Sequence, residues 1–177
     1  MITVKIIDAD HKDDINIKNQ PFALFGLLLP SYQNGEWGHT ELLFPKENVT
    51  EMCFPDEDYD FEEMLKNSIF VGAYDGEKCV GVAILQQAYQ KYMYLYDLKV
   101  DAGYRGQQIG AKLMEKCKEI AVQQGYRGLY TQGQDNNLGA CRFYLKMGFE
   151  IGGLDTRVYR GTLQEHKKDI LFYCDCC

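Results

Sequence analysis

The feature that most constrains the fold is a change of period in the middle of the chain. Residues 69–100 place apolar and aromatic side chains in short runs that suit strands, residues 107–124 place them at helical spacing, and Gly128–Gln132 returns to the strand pattern. Strand, helix and strand in that order predict a crossover that leaves its two strands parallel. Upstream, Ile69–Tyr74 and Cys79–Gln87 flank a tight turn at Asp75-Gly76-Glu77, and Tyr92–Val100 follows as a third strand. The helix Gln107–Gln124 lines one face with Ile109, Leu113, Cys117, Ile120 and Ala121, and Gly125 stops it. Asn137–Met147 reads as a second helix, Phe149–Gly152 as a strand, and Leu171–Cys174 as the strand that closes the sheet. These elements predict an α+β (mixed α/β) fold: a mixed, largely antiparallel twisted sheet with one parallel strand-helix-strand crossover, flanked by helices. The 177 residues fit one domain over 1–177, without repeats or linkers.

The N-terminal third is less periodic. Residues 2–7 read as a strand, and residues 10–20 carry no usable period. Phe22, Phe25, Leu28 and Leu29 have helical spacing that Pro30 ends, and Asn34-Gly35 signals a turn. Residues 51–63 are acidic, with Phe54, Tyr59 and Phe61 interleaved. A run of this kind predicts a solvated loop entering a short helix; the functional alternative is an acidic rim for a cationic substrate.

The net charge of −7 argues against nucleic acid, which needs a basic face. It suits a small cationic substrate, or simply solubility. No apolar run reaches the length of a membrane span, and the N-terminal stretch turns acidic too early for a signal peptide. Seven cysteines without a disulfide-type framework point to a reducing compartment, hence a cytoplasmic location. Cys174-Asp175-Cys176-Cys177 could bind a soft metal, but without a nearby histidine the expectation is no metal, with Cys174 ending a strand and the last two residues frayed. Self-association as a homodimer stays open.

After the third strand, residues 101–110 form a glycine-containing turn that opens directly into the helix. A helix N-terminus offers unpaired N–H groups and partial positive charge, so this turn is either a phosphate cradle or an ordinary connection. Further on stands Asn137-Leu138-Gly139-Ala140-Cys141-Arg142-Phe143-Tyr144, followed by Gly148-Phe149. Together with Arg105-Gly106-Gln107-Gln108-Ile109-Gly110, this resembles the GNAT acetyltransferase superfamily. There, Arg or Gln is followed three residues on by Gly and five on by Gly or Ala, and downstream by N-x-x-A-x-x-F-Y-x-x-x-G-F. The second motif is complete here. In the first, Gln108 stands at the central glycine. A side chain there either crowds a diphosphate, so that glycine would tighten binding, or sits on a helical backbone, so that glycine would only add disorder. Its place at the helix start favours the second.

A closer resemblance covers most of the chain. Gln20-Pro21-Phe22, Pro30-Ser31-Tyr32, Trp37-Gly38-His39-Thr40-Glu41-Leu42-Leu43, Gln134-Asp135-Asn136-Asn137 and Asp155-Thr156 with Tyr159 look like the streptothricin acetyltransferases, which acetylate the β-lysine amine of a cationic antibiotic. The competing expectations are another amine, such as a polyamine, peptide or aminoglycoside, and a CoA-binding sensor without catalysis.

A lysine-like amine with a pKa of about 10.4 is nucleophilic in roughly one molecule per thousand at neutral pH, so acetyl transfer needs a base or a proton path. The resemblance implies acetyl-CoA as cosubstrate. It implies that backbone groups of Leu98, Lys99 and Val100 hold the pantetheine arm, and that Arg105, Gly106, Gln107, Gln108, Ile109, Gly110 and Ala111 take the pyrophosphate. It further implies that Asn137 contacts the arm and that Tyr144 protonates the leaving sulfur. The antibiotic-modifying relatives carry Glu-Asp where this chain has Tyr96-Asp97. Asp97, placed by alternation on the face opposite Tyr96 and Leu98, is a base, an ammonium anchor or a structural carboxylate. Trp37, Glu41 and Tyr96 complete the candidate substrate site.

Overall fold

Elements form where the sequence period changes, and the computed structural model describes residues 1–88 and 90–176. In chain order the strands are β1 (Ile2–Ile6), β2 (Phe22–Leu24), β3 (Gly26–Gln33), β4 (Glu36–Leu43), β5 (Thr50–Met52), β6 (Ser68–Asp75), β7 (Lys78–Gln86), β8 (Tyr92–Val100), β9 (Gly128–Gln134), β10 (Glu150–Asp155) and β11 (Asp169–Asp175). The α-helices are α1 (Phe61–Met64), α2 (Ile109–Gln123) and α3 (Leu138–Lys146). The fold is mixed α+β, with mostly antiparallel strand pairs and one parallel pair. Two units divide the chain: residues 1–20, 54–129 and those from 175 on in one, and residues 21–53 and 130–174 in the other.

In the first unit β1, β6, β7 and β8 lie side by side, each antiparallel to the next. Alternation gives β7 two buried faces. On one, α2 lies over β1, β6, β7 and β8 and buries Ile109, Leu113, Met114, Cys117, Ile120 and Ala121. Gly81 permits that close packing, since a Cβ there would lie 3.0 Å from Leu113 and 3.2 Å from Ile109. On the other face Val82, Ile84 and Phe70 pack with Ile7, Ile15 and Phe61. Coverage of both faces explains why β6 and β7 are apolar throughout rather than alternating. The one parallel strand pair is in line with the crossover expected from the sequence. Within the first unit Arg127 N–H, just before Gly128, donates to the carbonyl of Lys91, just before Tyr92, at 2.8 Å.

In the second unit β11 lies between β9 and β10, and β10 and β11 are antiparallel. The C-terminal strand therefore does not close the sheet as expected; β10 takes that edge. The helix expected over residues 22–29 is also absent. Phe22–Leu24 pairs with Thr50–Met52, and Gly26–Gln33 pairs with Glu36–Leu43 as a hairpin. A short apolar run does not separate strand from helix by spacing alone. Here Gly26 and Leu28 point inward and Leu29 outward, a period of two. Pro30 is accommodated because each strand of a two-stranded ribbon has an open edge. Asn34 and Gly35, with φ of 53° and 82°, make the two-residue turn that right-twisted hairpins favour.

The C-terminus departs from expectation too. Cys176 is held, its N–H donating to Arg127 O at 2.9 Å; Cys177 lies outside the described residues. Among the described residues no helix is long and apolar enough to cross a membrane.

Candidate active site

Strand β8 carries the densest chemistry in the first unit. Its register against β7 slips once: Leu85 faces Leu95 and Ile84 faces Asp97, so Tyr96 is an extra residue with no partner across the ladder. This β-bulge breaks the simple alternation expected at Tyr96. Tyr96 is 42% exposed, and its ring lies 5.8 Å from that of Tyr94 and 6.0 Å from that of Tyr59. Beyond the bulge Asp97 and Lys99 share the face of Ile84 and Val82, their cross-strand partners.

That face ends in a charged knot. The Lys99 side chain is 8% exposed, and its ammonium contacts Glu57 and lies 3.2 Å from Asp97 Oδ2. Tyr59 O–H donates to Asp97 Oδ2 at 3.0 Å. The Lys99 ammonium also sits 5.4 Å from the centre of the Tyr59 ring. Asn16 holds the Tyr59 backbone from both sides, donating to its carbonyl at 2.9 Å and accepting from its N–H at 2.8 Å. Asn19 donates to Glu57 Oε2 at 2.7 Å. Burial pushes the Asp97 carboxyl above the ordinary carboxylate range; Lys99 pulls it back, and Glu57 raises it again. Burial, then the neighbouring Asp97 and Glu57 charges, push the Tyr59 phenol upward, so it stays a donor. The acidic run is thus not a wholly solvated loop. The sequence reading missed Glu57 and Tyr59 as partners of β8; the interleaved aromatics were the available signal.

The turn after β8 is built by side chains. Asp101 Oδ1 accepts from Gly103 N–H at 2.9 Å, and Gln20 Oε1 from Ala102 N–H at 2.7 Å. Gly106 has φ 78°, and a Cβ there would meet nothing within 4 Å. No side chain caps α2 at Gln108, and Lys112 N–H donates to Gln108 O at 3.0 Å, so the amides of Ile109, Gly110 and Ala111 precede the first intrahelical bond. An open, uncapped N-terminus of a 15-residue helix with two left-handed positions before it fits a diphosphate.

Gln108 itself corrects an expectation. Its φ of 63° and ψ of 15° are left-handed, not helical. A non-glycine residue pays about 1–2 kcal/mol there, which explains the glycine of the family pattern. Gln108→Gly is therefore expected to stabilise the protein by up to about 1 kcal/mol, after glycine's own entropic cost. Urea midpoints of the two proteins check the sign.

The second unit holds the remaining candidates. Asn137 caps α3, its Oδ1 accepting from Ala140 N–H at 3.2 Å. Tyr144 lies on that helix with its ring 5.4 Å from Phe172, 5.6 Å from Phe149 and 5.8 Å from Phe143. Glu41, on β4, is clasped in bidentate fashion by Arg142 of α3 at 2.9 and 2.5 Å. That guanidinium holds its carboxyl below the usual range. Trp37 stacks obliquely on Tyr32 across the hairpin, at 4.9 Å. Tyr159 donates to Asp169 Oδ1 at 2.8 Å and accepts from Gln134 Nε2 at 2.9 Å, while Asp155 Oδ1 accepts from Arg157 and Val158 N–H. Among the described residues no group of three or more His, Cys, Asp or Glu could hold a metal ion.

Residues 36–149 match the acetyltransferase (GNAT) family model. The chain is 31% identical over 160 residues to streptothricin acetyltransferase A of Bacillus subtilis (strain 168), covering 90% of this chain and 92% of that protein. It is 31% identical over 108 residues to the streptothricin acetyltransferase of Streptomyces lavendulae, covering 61% of this chain and 57% of that one. A crystal structure of a Bacillus anthracis str. Ames protein in complex with acetyl coenzyme A superposes with a TM-score of 0.86 at 26% identity, over 99% of this chain and 98% of the other. Nourseothricin acetyltransferase shares the fold, with a TM-score of 0.80 at 20% identity over 99% of both chains. The chain belongs to the GNAT acetyltransferase family. Its activity is acetyl-CoA-dependent N-acetyl transfer, with acetyl-CoA as cosubstrate.

Proposed function

We propose that this acetyltransferase modifies streptothricin on its β-lysine amine. The observation that carries this reading is the similarity to streptothricin acetyltransferase A along 90% of the chain, which takes in the N-terminal segment outside the cofactor motifs. The net charge of −7 and the carboxylates near the Tyr96 bulge suit a polycation.

Acetyl-CoA supplies the acetyl group as an activated thioester. The residues from Arg105 to Ala111 take its diphosphate, backbone groups of Leu98, Lys99 and Val100 hold the pantetheine arm and polarise the carbonyl, and Asn137 contacts the arm. Asp97 accepts the proton of the substrate ammonium, freeing the lone pair that forms the new N–C bond. Tyr144 gives its phenolic proton to the sulfur as the C–S bond breaks, and the second proton shed by the acetylated nitrogen restores the phenol. Tyr96 and Trp37 offer aromatic faces to the substrate cation. Glu41 adds negative charge, although Arg142 already engages both of its oxygens.

Thiol release with acetyl-CoA and a panel of amines tests the reading. Streptothricin should react faster than aminoglycosides or peptides, and its KM should rise with salt, because exposed charges are screened within about 8 Å at physiological ionic strength. Acetyl-CoA at a hundredfold excess over its Kd should stabilise the protein by about 2.7 kcal/mol. Streptothricin left untouched while another amine is rapidly acetylated overturns the substrate assignment.

A further inference from the structure

The charged knot on β8 holds a lysine side chain that the proposed chemistry does not use. Lys99 enters that chemistry only through its backbone, yet its side chain is 8% exposed and its ammonium is shared between Glu57 and Asp97. A lysine is seldom buried to this degree without a compensating arrangement. Among the described residues, the titratable groups that act on Asp97 are Lys99 of β8 and Glu57 and Tyr59 of the loop before α1. From β7 and β6, the apolar Ile84, Val82 and Phe70 lie on the same face.

We propose that Lys99 is a positioning residue for acetyl transfer: its ammonium, held against Glu57, keeps Asp97 ionised and oriented to receive the proton of the incoming amine. The inference rests on Asp97 being the base. Two opposed charges act on Asp97. Lys99 favours its anion, and Glu57, a second carboxylate on the same ammonium, disfavours it. Tyr59 O–H fixes one oxygen of Asp97, and Asn16 fixes the backbone of Tyr59, so the carboxylate cannot turn freely. Such an arrangement moves with either partner, and in opposite directions. Loss of Lys99 leaves two carboxylates without their cation. Loss of the Glu57 charge gives the whole cation to Asp97.

The test is the pH dependence of kcat/KM for the amine, with acetyl-CoA saturating, in the full chain. Lys99→Met should move the acid limb to higher pH by about one to two pH units, Glu57→Gln should move it to lower pH, and Lys99→Arg should return it near the parent value. If Lys99→Met folds poorly, the Lys99→Met, Glu57→Gln double variant relieves the clash of carboxylates, and its acid limb should lie above that of Glu57→Gln alone. Rates that fall equally at every pH, with unmoved acid limbs, overturn the proposal and leave Lys99 a structural residue. Titration of the 13C-labelled Asp97 carboxyl by NMR separates this from the assignment of the base. A midpoint lowered by Glu57→Gln supports the coupling whatever the base; an unchanged midpoint overturns it. An Asp97→Asn protein that keeps full activity overturns the base assignment instead.

Discussion

Tyr144→Phe is expected to lower turnover by about a hundredfold or more while changing acetyl-CoA affinity little. The size follows from the usual contribution of a positioned proton donor, and the split between turnover and affinity from an interaction made chiefly in the transition state. The substitution is clean on structural grounds. The Tyr144 ring is packed among Phe143, Phe149 and Phe172, and phenylalanine keeps all of that packing. Turnover measured by thiol release, with acetyl-CoA affinity from calorimetry, checks it. Unchanged turnover with chemistry rate-limiting would return Tyr144 to a packing role.

Asp97→Asn is expected to lower kcat/KM for the amine by about 10²- to 10⁴-fold, the range for loss of a general base. The amide still accepts from Tyr59, and Lys99 keeps Glu57, so the loop and the bulge should persist. The pH profile carries the sign. Burial raises the Asp97 carboxyl, so parent activity should fall as pH drops through a value above that of an ordinary aspartate, and this acid limb should vanish in the variant. Acetyl-CoA affinity should be unaffected. A profile that keeps its acid limb in Asp97→Asn would mean that another group titrates.

The legible part of the fold was the part where period and turn chemistry agreed. Tyr92–Val100 was bounded to the residue, because an apolar run rich in tyrosine ends at Asp101 before a glycine turn. Helix α2 was read with five of its six buried residues, Met114 being the omission. The N-terminal segment was misread because Phe22, Phe25, Leu28 and Leu29 satisfy a helical spacing by coincidence, while their pairing partners lie up to thirty positions along the chain (Phe22 with Met52). Long-range pairing leaves no mark on a local window. The backbone at Gln108 was illegible for a different reason. Its departure from the family glycine was visible, but the left-handed conformation that makes the departure strained belongs to the backbone alone. In the candidate site, Asp97 and Tyr144 were named from resemblance, which marks positions in the chain but not what surrounds them. Glu57 and Tyr59 were not, since they stand 40 and 38 positions from Asp97 and meet it only through the fold of the acidic loop.

The bulge at Tyr96 has a consequence for how such a strand can arise. Removing Tyr96 would leave Leu85–Leu95 and Ile84–Asp97 as adjacent rungs of an unbroken ladder, with every other side chain on its present face. A one-residue insertion anywhere in a regular strand normally reverses the facing of all that follows. Here the surplus residue absorbs the reversal, so the core on either side is indifferent to it. Against β7 the strand can therefore gain or lose this tyrosine as a single edit, and an exposed aromatic ring beside a buried carboxylate is what the edit adds.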